Sequence, residues 1–419
     1  MLNWKQISKV LIPLSFLSLN CVFAEGELSN ASIAVSNNGL LSDCNLECPK
    51  PKQIPCEQPK KIECAPCVPC VREGITPFVL TTSRPCYDVG VYFFVDALYW
   101  HADIGNSDYA YVQTSELTPT SSVFIGKNEQ LNFKWNWGFK VGLGFDLNHD
   151  EWDTDFYYTW FVNKTQPNSF TTRIPPTDPT EVLVRSLVTN YPFGGVIRSG
   201  SASARLNFNV LDWEIGRWFY ISDSISIRPH AGLRGSWIRL KQKVDYVNSP
   251  IPNFLTFTSY HGKNNSKSWA AGPSIGVKSN WYFGSGNTID PCDGHVRSRP
   301  HFSIFGDFTG ALMYSHFKNS HSESSEGPAN ATIVGFNSSH LNRNLMVPVL
   351  TGFMGLAYDT CFNCDKYHFG IRLGYELQYW FRQNQRFAFD DVATVPRYTR
   401  STGEDLALQG MTLDIRFDF

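Results

Sequence analysis

Residues 131–148 read "LNFKWNWGFKVGLGFDLN", in which apolar residues occupy every second position from Leu131 to Leu147. The positions between them carry polar residues or Gly. Because successive side chains of a β-strand point to opposite faces, the pattern predicts a strand with one apolar and one hydrated face. Half-buried strands of soluble proteins usually alternate over only about 4–8 residues. At ~3.4 Å per residue this run would extend roughly 60 Å, which is enough to cross a bilayer at a tilt.

The N-terminus is typical of an exported protein. Two lysines precede an apolar core and a small-residue cleavage site, so residues 1–24 are predicted to be a signal peptide cleaved near Ala24. Cys21 leaves lipoprotein processing as an alternative, although Asn20 is a poor residue in front of a lipidated cysteine. No later segment has about 20 consecutive apolar residues. If the mature chain enters a membrane, it must do so as a closed barrel, because open strand edges cannot be satisfied in lipid.

The two-residue period recurs along most of the chain. Ten stretches show it: 88–100, 131–148, 152–163, 204–219, 224–238, 268–283, 301–315, 346–358, 367–381 and 406–419. Short links alternate with long polar links, and the long ones are 103–130, 164–203, 240–267, 316–345 and 382–405. Outer-membrane barrels have short turns on one side and long loops on the other. We therefore predict an all-β fold, a transmembrane antiparallel β-barrel of the outer-membrane type with about ten strands.

Finer features of the pattern give further expectations. The phase of the alternation changes near Val210–Leu211, which predicts a β-bulge. Trp and Tyr gather near the predicted strand ends, Trp100 and Trp380 among them, and predict girdles at the membrane interfaces. Ordinary core aromatics at sheet ends are the alternative. Other strand-like segments, such as 121–126, 182–188 and 254–260, would raise the strand number, with about 16 as the upper limit.

Ten cysteines of the mature chain are candidates for disulfides or cross-links: Cys44, Cys48, Cys56, Cys64, Cys67, Cys70, Cys86, Cys292, Cys361 and Cys364. Residues 25–86 are predicted to be a Cys/Pro-rich periplasmic segment, followed by the barrel at 87–419. The alternation of links puts all ten on the periplasmic side, none of them in a strand or long loop. Local disulfides and cross-links to neighbouring envelope proteins both suit an exported protein.

Two other interpretations of the cysteines have less support. Cys64, Cys67 and Cys70 ("CAPCVPC") could bind a metal, but the intervening Pro residues and an oxidising location argue against it. Residues 361–364 ("CFNC") resemble a redox pair, but the βαβ context of such pairs is absent. We expect neither a metal nor a cofactor.

Four blocks of sequence carry a family resemblance: "YFFVDALYWHA" (92–102), "WGFKVGLGFDLNHDEWDTDFYYTWF" (137–161), "LDWEIGRWFYISDSISIRPHAGLRGSWI" (211–238) and "WAAGPSIGVKSNWYFG" (269–284). Over about residues 88–419 the chain resembles the Legionella-type major outer membrane protein family and the related porin-like proteins of environmental chlamydiae. The resemblance implies an abundant, disulfide-linked protein of the bacterial outer membrane with general porin activity. The terminal Phe419 is similar to the signal for barrel insertion. Chlamydial members are usually assigned more than ten strands.

The hydrated faces of the strands would line a pore. The candidate pore-lining residues are Lys134, Lys140, Asp146, Arg228, His230, Arg234, Arg372, Glu376, Asp414 and Arg416. Several glycines on the same faces leave room for water or for packed neighbours: Gly138, Gly142, Gly144, Gly370 and Gly374. Charges on the inner wall tune ion preference. We expect a porin for passive diffusion of small hydrophilic solutes and ions that is also a structural component of the envelope. The alternative is a structural or adhesive protein whose paired charges plug a narrow lumen.

Other classes of function have less support. The chain has 36 basic and 38 acidic residues, so no nucleic-acid partner is expected. Some outer-membrane barrels are hydrolases, but His101, His261, His316 and His340 show no catalytic spacing, and GxSxG and HExxH are absent. We therefore expect no enzymatic activity. The expected partners are outer-membrane lipid and disulfide-linked envelope proteins; a homotrimer is common among porins, but no residue indicates a subunit interface.

Overall fold

The computed structural model describes residues 90–118, 121–147, 150–166, 168–171, 182–186, 197–222, 224–248, 258–283, 288–289, 296–297, 301–326, 334–362, 367–389 and 399–419. The predicted signal peptide (1–24) and Cys/Pro-rich segment (25–86) lie outside the described residues. Within the described ranges, no helix is both long enough and apolar enough to cross a membrane.

Ten antiparallel strands close into a ring. They are β1 (Val91–Ile104), β2 (Asn136–Asp146), β3 (Trp152–Lys164), β4 (Ile197–Arg217), β5 (Ile225–Asn248), β6 (Ser259–Phe283), β7 (His301–Glu326), β8 (Val334–Phe362), β9 (Tyr367–Phe389) and β10 (Thr399–Asp418). Each strand pairs with the next along the chain, and β10 pairs with β1. A closed ring leaves no free strand edge, as a membrane requires. The predicted barrel of about ten strands is confirmed.

Shorter strands do not enlarge the ring. Asp108–Thr118 lies between Ser121–Gln130 and Val182–Ser186 in a separate three-stranded sheet. The strand-like segment 121–126 and the described residues 182–186 of the segment 182–188 therefore lie outside the barrel wall. The remaining short strands are Asn168–Thr171, Phe219–Ser222, Thr288–Ile289 and Val296–Arg297.

The barrel is taller than the predicted strands. β5 has 24 residues and β8 has 29, so at ~3.4 Å per residue they extend roughly 80–100 Å along the strand, against a hydrocarbon core about 30 Å thick. The predicted long links 240–267, 316–345 and 382–405 are wrong in extent, because most of their described residues continue the strands. We call the end of the barrel that carries Val91 and Phe419 the terminal end, and the opposite end the loop end.

A band of apolar side chains faces outward from the ring. On β2 the outward residues Trp137, Phe139, Val141, Leu143 and Phe145 are 40–63% exposed. The other barrel strands expose comparable residues at the same level. An apolar band around a closed barrel is the surface that lipid covers. The outward direction expected for one face of β2 is therefore confirmed.

The stretch that predicts the fold is not one continuous strand. Leu131 and Phe133 are 8% and 5% exposed and belong to the buried core, whereas Trp135 is 44% exposed and points outward. The chain is irregular around residues 134–135, and β2 begins at Asn136. The assignment of all nine apolar residues to one face is therefore wrong for the first two, because the alternation in the sequence continues across a break in the strand.

The bulge predicted near Val210–Leu211 is absent, because β4 keeps its register with β3 and β5 through these residues. The two faces of β4 instead exchange character. The inward face changes from Phe208 to Asp212, both of them buried. The outward face changes from Asn207 to Trp213, which is 38% exposed. A water-exposed barrel has its apolar residues inside and a membrane barrel has them outside, so the exchange marks the level at which β4 leaves the lipid.

Aromatic girdles are present, but not all of the predicted members belong to them. Trp137, Trp237 and Trp269 are 63%, 52% and 46% exposed on the outer wall. Trp100 and Trp380 are fully buried and point into the lumen. Their neighbours along the chain, Tyr99 among them, occupy the outward positions, because alternate residues of a strand face opposite sides.

Candidate functional site in the barrel lumen

A row of charges crosses four adjacent strands on the inner wall. Asp96 on β1 lies opposite Asp414 on β10. Lys140 continues the row beyond Asp96, and Arg372 continues it beyond Asp414. The Lys140 ammonium lies 3.2 Å from the Asp96 carboxylate and 3.3 Å from that of Glu376. Because β2 and β9 are separated by two strands, the contact between Lys140 and Glu376 crosses the interior of the barrel.

Arg228 on β5 is the centre of a second ion-pair cluster. Its guanidinium lies 2.6 Å from Asp153, 3.2 Å from Asp155 and 3.5 Å from Glu214, and 1% of its side chain is exposed. Lys278 joins the cluster at 2.9 Å from Glu214. A buried charge is tolerated only when it is paired. The cluster therefore holds β3, β4, β5 and β6 together through their inward side chains.

A third contact lies closer to the loop end. Arg234 Nε donates to Asp212 at 2.6 Å, and Arg234 Nη1 donates to the Thr351 hydroxyl at 3.0 Å. Thr351 is on β8, three strands away from Arg234 on β5. His230 Nε2 lies 3.1 Å from the hydroxyl oxygen of Thr309. The contacts to Thr351 and Thr309 narrow the lumen, because each of them joins strands that are not adjacent.

An apolar plug closes the lumen on the loop-end side of the charges. Phe208 on β4 and Trp380 on β9 meet edge to face with their ring centroids 5.4 Å apart. These strands are five positions apart in a ring of ten, so the two rings meet from opposite walls. Trp100 and Phe161 add a second contact at 5.6 Å. Other fully buried members of the plug are Leu98, Leu206, Met313, Phe317, Val347 and Val349.

Two cavities lie among the charges between the plug and the terminal end. Their volumes are about 720 Å³ and 680 Å³ including solvent-open space, and both are lined by Tyr92, Asn280, Arg372 and Arg416. At the rim, His368 lies 2.9 Å from Asp418 and 3.1 Å from Asp359, and both acids line the first cavity. The interior is thus polar and accessible from the terminal end, and apolar and filled in the middle.

Inward glycines make room for neighbouring side chains. A Cβ at Gly142 would lie 2.7 Å from that of Tyr157, and Phe94 occupies the same space. A Cβ at Gly216 would lie 2.6 Å from the Arg228 guanidinium carbon. Of the two uses expected for the inner-face glycines, these contacts favour packed neighbours.

The structure places most of the predicted pore-lining residues in this interior. Lys140, Arg228, His230, Arg234, Arg372, Glu376, Asp414 and Arg416 point into the lumen, and Asp146 lines the cavity at the terminal end. Lys134 is exposed in the irregular segment before β2 and does not join them. Several members of the network were not predicted: Asp96, Asp153, Asp155, Asp212, Glu214 and Lys278. Each occupies the hydrated register of its strand, so listing that register for every strand would have found them.

Cys361 is the one cysteine among the described residues. It lies next to the end of β8 and is disulfide-bonded. The expectation that no cysteine lies in a strand is therefore wrong for Cys361. The other cross-link candidates lie outside the described residues: Cys44, Cys48, Cys56, Cys64, Cys67, Cys70, Cys86, Cys292 and Cys364. Phe419 extends the pairing of β10, since its amide donates to the Val91 carbonyl at 2.9 Å.

Ser259, His261 and Asp245 lie together on the outer wall near the loop end. His261 Nδ1 lies 2.6 Å from Asp245, and His261 Nε2 lies 3.4 Å from the Ser259 hydroxyl oxygen. Hydrolase triads have this order of acid, imidazole and hydroxyl. However, a Glu326 carboxylate oxygen lies 3.1 Å from the same hydroxyl, and negative charge there would destabilise an acyl-transfer oxyanion. The absence of enzymatic activity stays a prediction.

Comparison with known families gives one match that spans the barrel. The family model described as "Legionella pneumophila major outer membrane protein precursor" matches residues 83–290 and 291–419. No curated protein matches the chain.

Solved structures of outer-membrane proteins are similar at low identity. The outer membrane protease OmpT from Escherichia coli is 10% identical with a TM-score of 0.36, covering 81% of this chain and 100% of that chain. The translocator domain of the autotransporter NalP from Neisseria meningitidis is 10% identical with a TM-score of 0.31, covering 80% and 90%. The P. putida toluene transporter TodX is 8% identical with a TM-score of 0.24, covering 79% and 90%.

Proposed function

Because this chain belongs to the Legionella pneumophila major outer membrane protein precursor family, we propose that it resides in the bacterial outer membrane and serves the envelope as a structural component with a closed lumen. One observation carries the proposal: Phe208 and Trp380 meet from opposite walls of the barrel, 5.4 Å apart and fully buried. Of the two functions that the sequence leaves open, the plugged barrel therefore has more support than the porin.

The size of the ring supports closure. Barrels of about eight strands are just wide enough to be filled by side chains, whereas those of about 16–18 strands leave an aqueous channel. A ring of ten is close to the filled limit, and here the inward residues include Trp, Phe, Met and Arg. The Arg228–Asp153 ion pair and the Arg234–Thr351 hydrogen bond add contacts between non-adjacent strands. Contacts across the lumen also make the barrel wall resistant to deformation.

Planar-bilayer recordings test the closed lumen. The wild-type protein, refolded and inserted, is expected to show no conductance steps. The double variant F208A/W380A removes both rings of the plug and is expected to admit current. Trp281→Ala is the matched control, since its side chain is 55% exposed on the outer wall. Steady wild-type steps comparable to those of the double variant would overturn the proposal.

Passage of small ions is the second candidate, favoured by the cavities at the terminal end. They reach from the rim to Lys140 and Asp96, and the two linings together have more Asp than Lys and Arg side chains. If ions pass, Arg372→Glu should shift the selectivity towards cations, because Arg372 lines both cavities and its side chain is 22% exposed. If the wild type conducts and Arg372→Glu has the same ion selectivity, Arg372 does not lie on the path of the ions.

We also propose that cysteines tie the barrel to its surroundings, through local disulfides or cross-links to other envelope proteins. The disulfide at Cys361, close to the end of β8, supports this. Signal-peptide cleavage near Ala24 and a homotrimeric assembly stay predictions. Lipid is the partner that the outward apolar band requires.

A further inference from the structure

A set of basic side chains covers the outer wall beyond the aromatic girdle at the loop end. This basic wall consists of Lys164, Arg205, Arg239, Lys241, Lys243, Lys263, Lys267 and Lys318. All are exposed, and all lie on the outward register of β3 to β7. The set is therefore a continuous surface that spans half of the ring.

Like charges lie directly opposite one another within the basic wall. Arg239 lies opposite Lys267, and Lys267 lies opposite Lys318. Two further rows are Lys164–Arg205–Lys241 and Lys243–Lys263. Such cross-strand pairs repel and destabilise a sheet. Among the described residues none of these cations has an ion-pair partner, and Asp245 on the same face is hydrogen-bonded to His261. The repulsion would be relieved by anions from outside the chain.

The aromatic girdle fixes the height of the basic wall. Trp237, Trp269 and His316 form one row in register, and the row of Arg239 and Lys267 lies two residues further along the strands. Two residues rise about 7 Å along a strand, or about 5 Å along the membrane normal at a 45° tilt. Trp and Tyr occupy the interface between hydrocarbon and head groups. The row of Arg239, Lys267 and Lys318 therefore lies at the level of lipid head groups, and the other rows lie further out.

We propose that the basic wall binds the phosphate groups of lipid head groups in the outer leaflet, with Arg239, Lys267 and Lys318 as its central row. Guanidinium and ammonium groups donate several charge-assisted hydrogen bonds to phosphate oxygens. The rows extend up the wall, so one head group with several phosphates would contact more than one row. This lipid site is independent of the lumen and exists whether or not the barrel conducts.

Binding of lipopolysaccharide by the refolded full-length protein tests the site. The protein is held in a zwitterionic detergent, and the lipopolysaccharide concentration that gives half of the maximal increase in Tm is measured. K267Q/K318Q is expected to raise this concentration about 25-fold, from about fivefold for each cation removed near an anionic surface. K127Q/R217Q is the matched control: it also removes two cations, but Lys127 lies in the separate three-stranded sheet and Arg217 at the terminal end. The control is expected to match the wild type.

Three further arms make the result decisive. Inorganic phosphate at the same phosphate concentration should not raise Tm; equal protection by free phosphate would overturn a lipid site. Without lipopolysaccharide, K267Q/K318Q should be at least as stable as the wild type, because like-charge repulsion is removed, and K267R/K318R should bind as the wild type does. Equal lipopolysaccharide binding by K267Q/K318Q and the wild type would also overturn the proposal, while bilayer conductance reports separately on the lumen.

Discussion

A double-mutant cycle across the lumen tests the apolar plug most directly. The single variants are Phe208→Ala and Trp380→Ala, and the cycle is completed by the double variant. Both side chains are fully buried, and their rings meet edge to face with centroids 5.4 Å apart. The indole N–H of Trp380 also donates to Gln378 at 3.4 Å. The contact joins opposite walls, so it exists only in the closed ring.

The magnitudes follow from full burial and ring contact. Truncating a buried Phe or Trp to Ala costs about 3–5 kcal/mol of unfolding free energy, and we expect values in this range for each single variant. A direct aromatic pair contributes about 0.5–1.5 kcal/mol beyond the burial of its area. The double variant should therefore be less destabilised than the sum of the two single variants by about this amount.

The assay is urea unfolding of the wild type, the two single variants and the double variant in lipid vesicles. The folded fraction is measured on gels, because a folded barrel and a heat-unfolded barrel migrate differently. Trp281→Ala is the control for loss of an indole, and its cost should be smaller because lipid replaces the outward ring. If the costs of Phe208→Ala and Trp380→Ala add up to the cost of the double variant within about 0.3 kcal/mol, the two rings are not in contact. In that case the lumen is open at this level, and the closed-barrel function fails with it.

Three other predictions concern the membrane and the envelope. Val141→Lys places a charge midway along the apolar band and should cost about 2–4 kcal/mol in vesicle unfolding; unchanged stability would mean that this face does not contact lipid. Removal of Phe419 should lower the fraction of heat-modifiable barrel in the outer membrane, and unaltered assembly would argue against its role in insertion. On non-reducing gels, higher-mass species should collapse to the monomer with reductant; identical migration in both lanes would exclude cross-linking.

The strand pattern could be predicted from the sequence as far as the lipid extends, and less well beyond it. In the membrane the outward face is apolar, so alternation is easily recognised. Above the membrane the faces exchange character, as between Phe208 and Asp212 on β4. The exchange resembles a one-residue shift in phase, which is why a bulge was predicted near Val210–Leu211. The same exchange made the outer parts of β5 to β9 resemble polar links.

The lumen could be predicted only in part. Arg228, Arg234 and Glu376 were identified because they occupy hydrated registers between apolar neighbours. Trp380 was assigned to a girdle, since an aromatic residue near a strand end is equally consistent with an inward or an outward position. Its contact with Phe208 depends on which strands become opposite after closure, and no local pattern in the sequence encodes that relation.

The stratified interior also has a consequence for how the strands align during folding. A slip of one residue would turn every side chain to the wrong face, but a slip of two would keep both faces correct and is not excluded by amphipathicity. Here such a slip of β4 against β5 in one direction would move Asp212 away from Arg234 and set the guanidinium against Val210. Leaving a buried cation without its ion-pair partner in this way costs about 3–5 kcal/mol. The boundary between the charged and the apolar layers of the lumen therefore fixes the register of neighbouring strands, and with it the shear of the barrel.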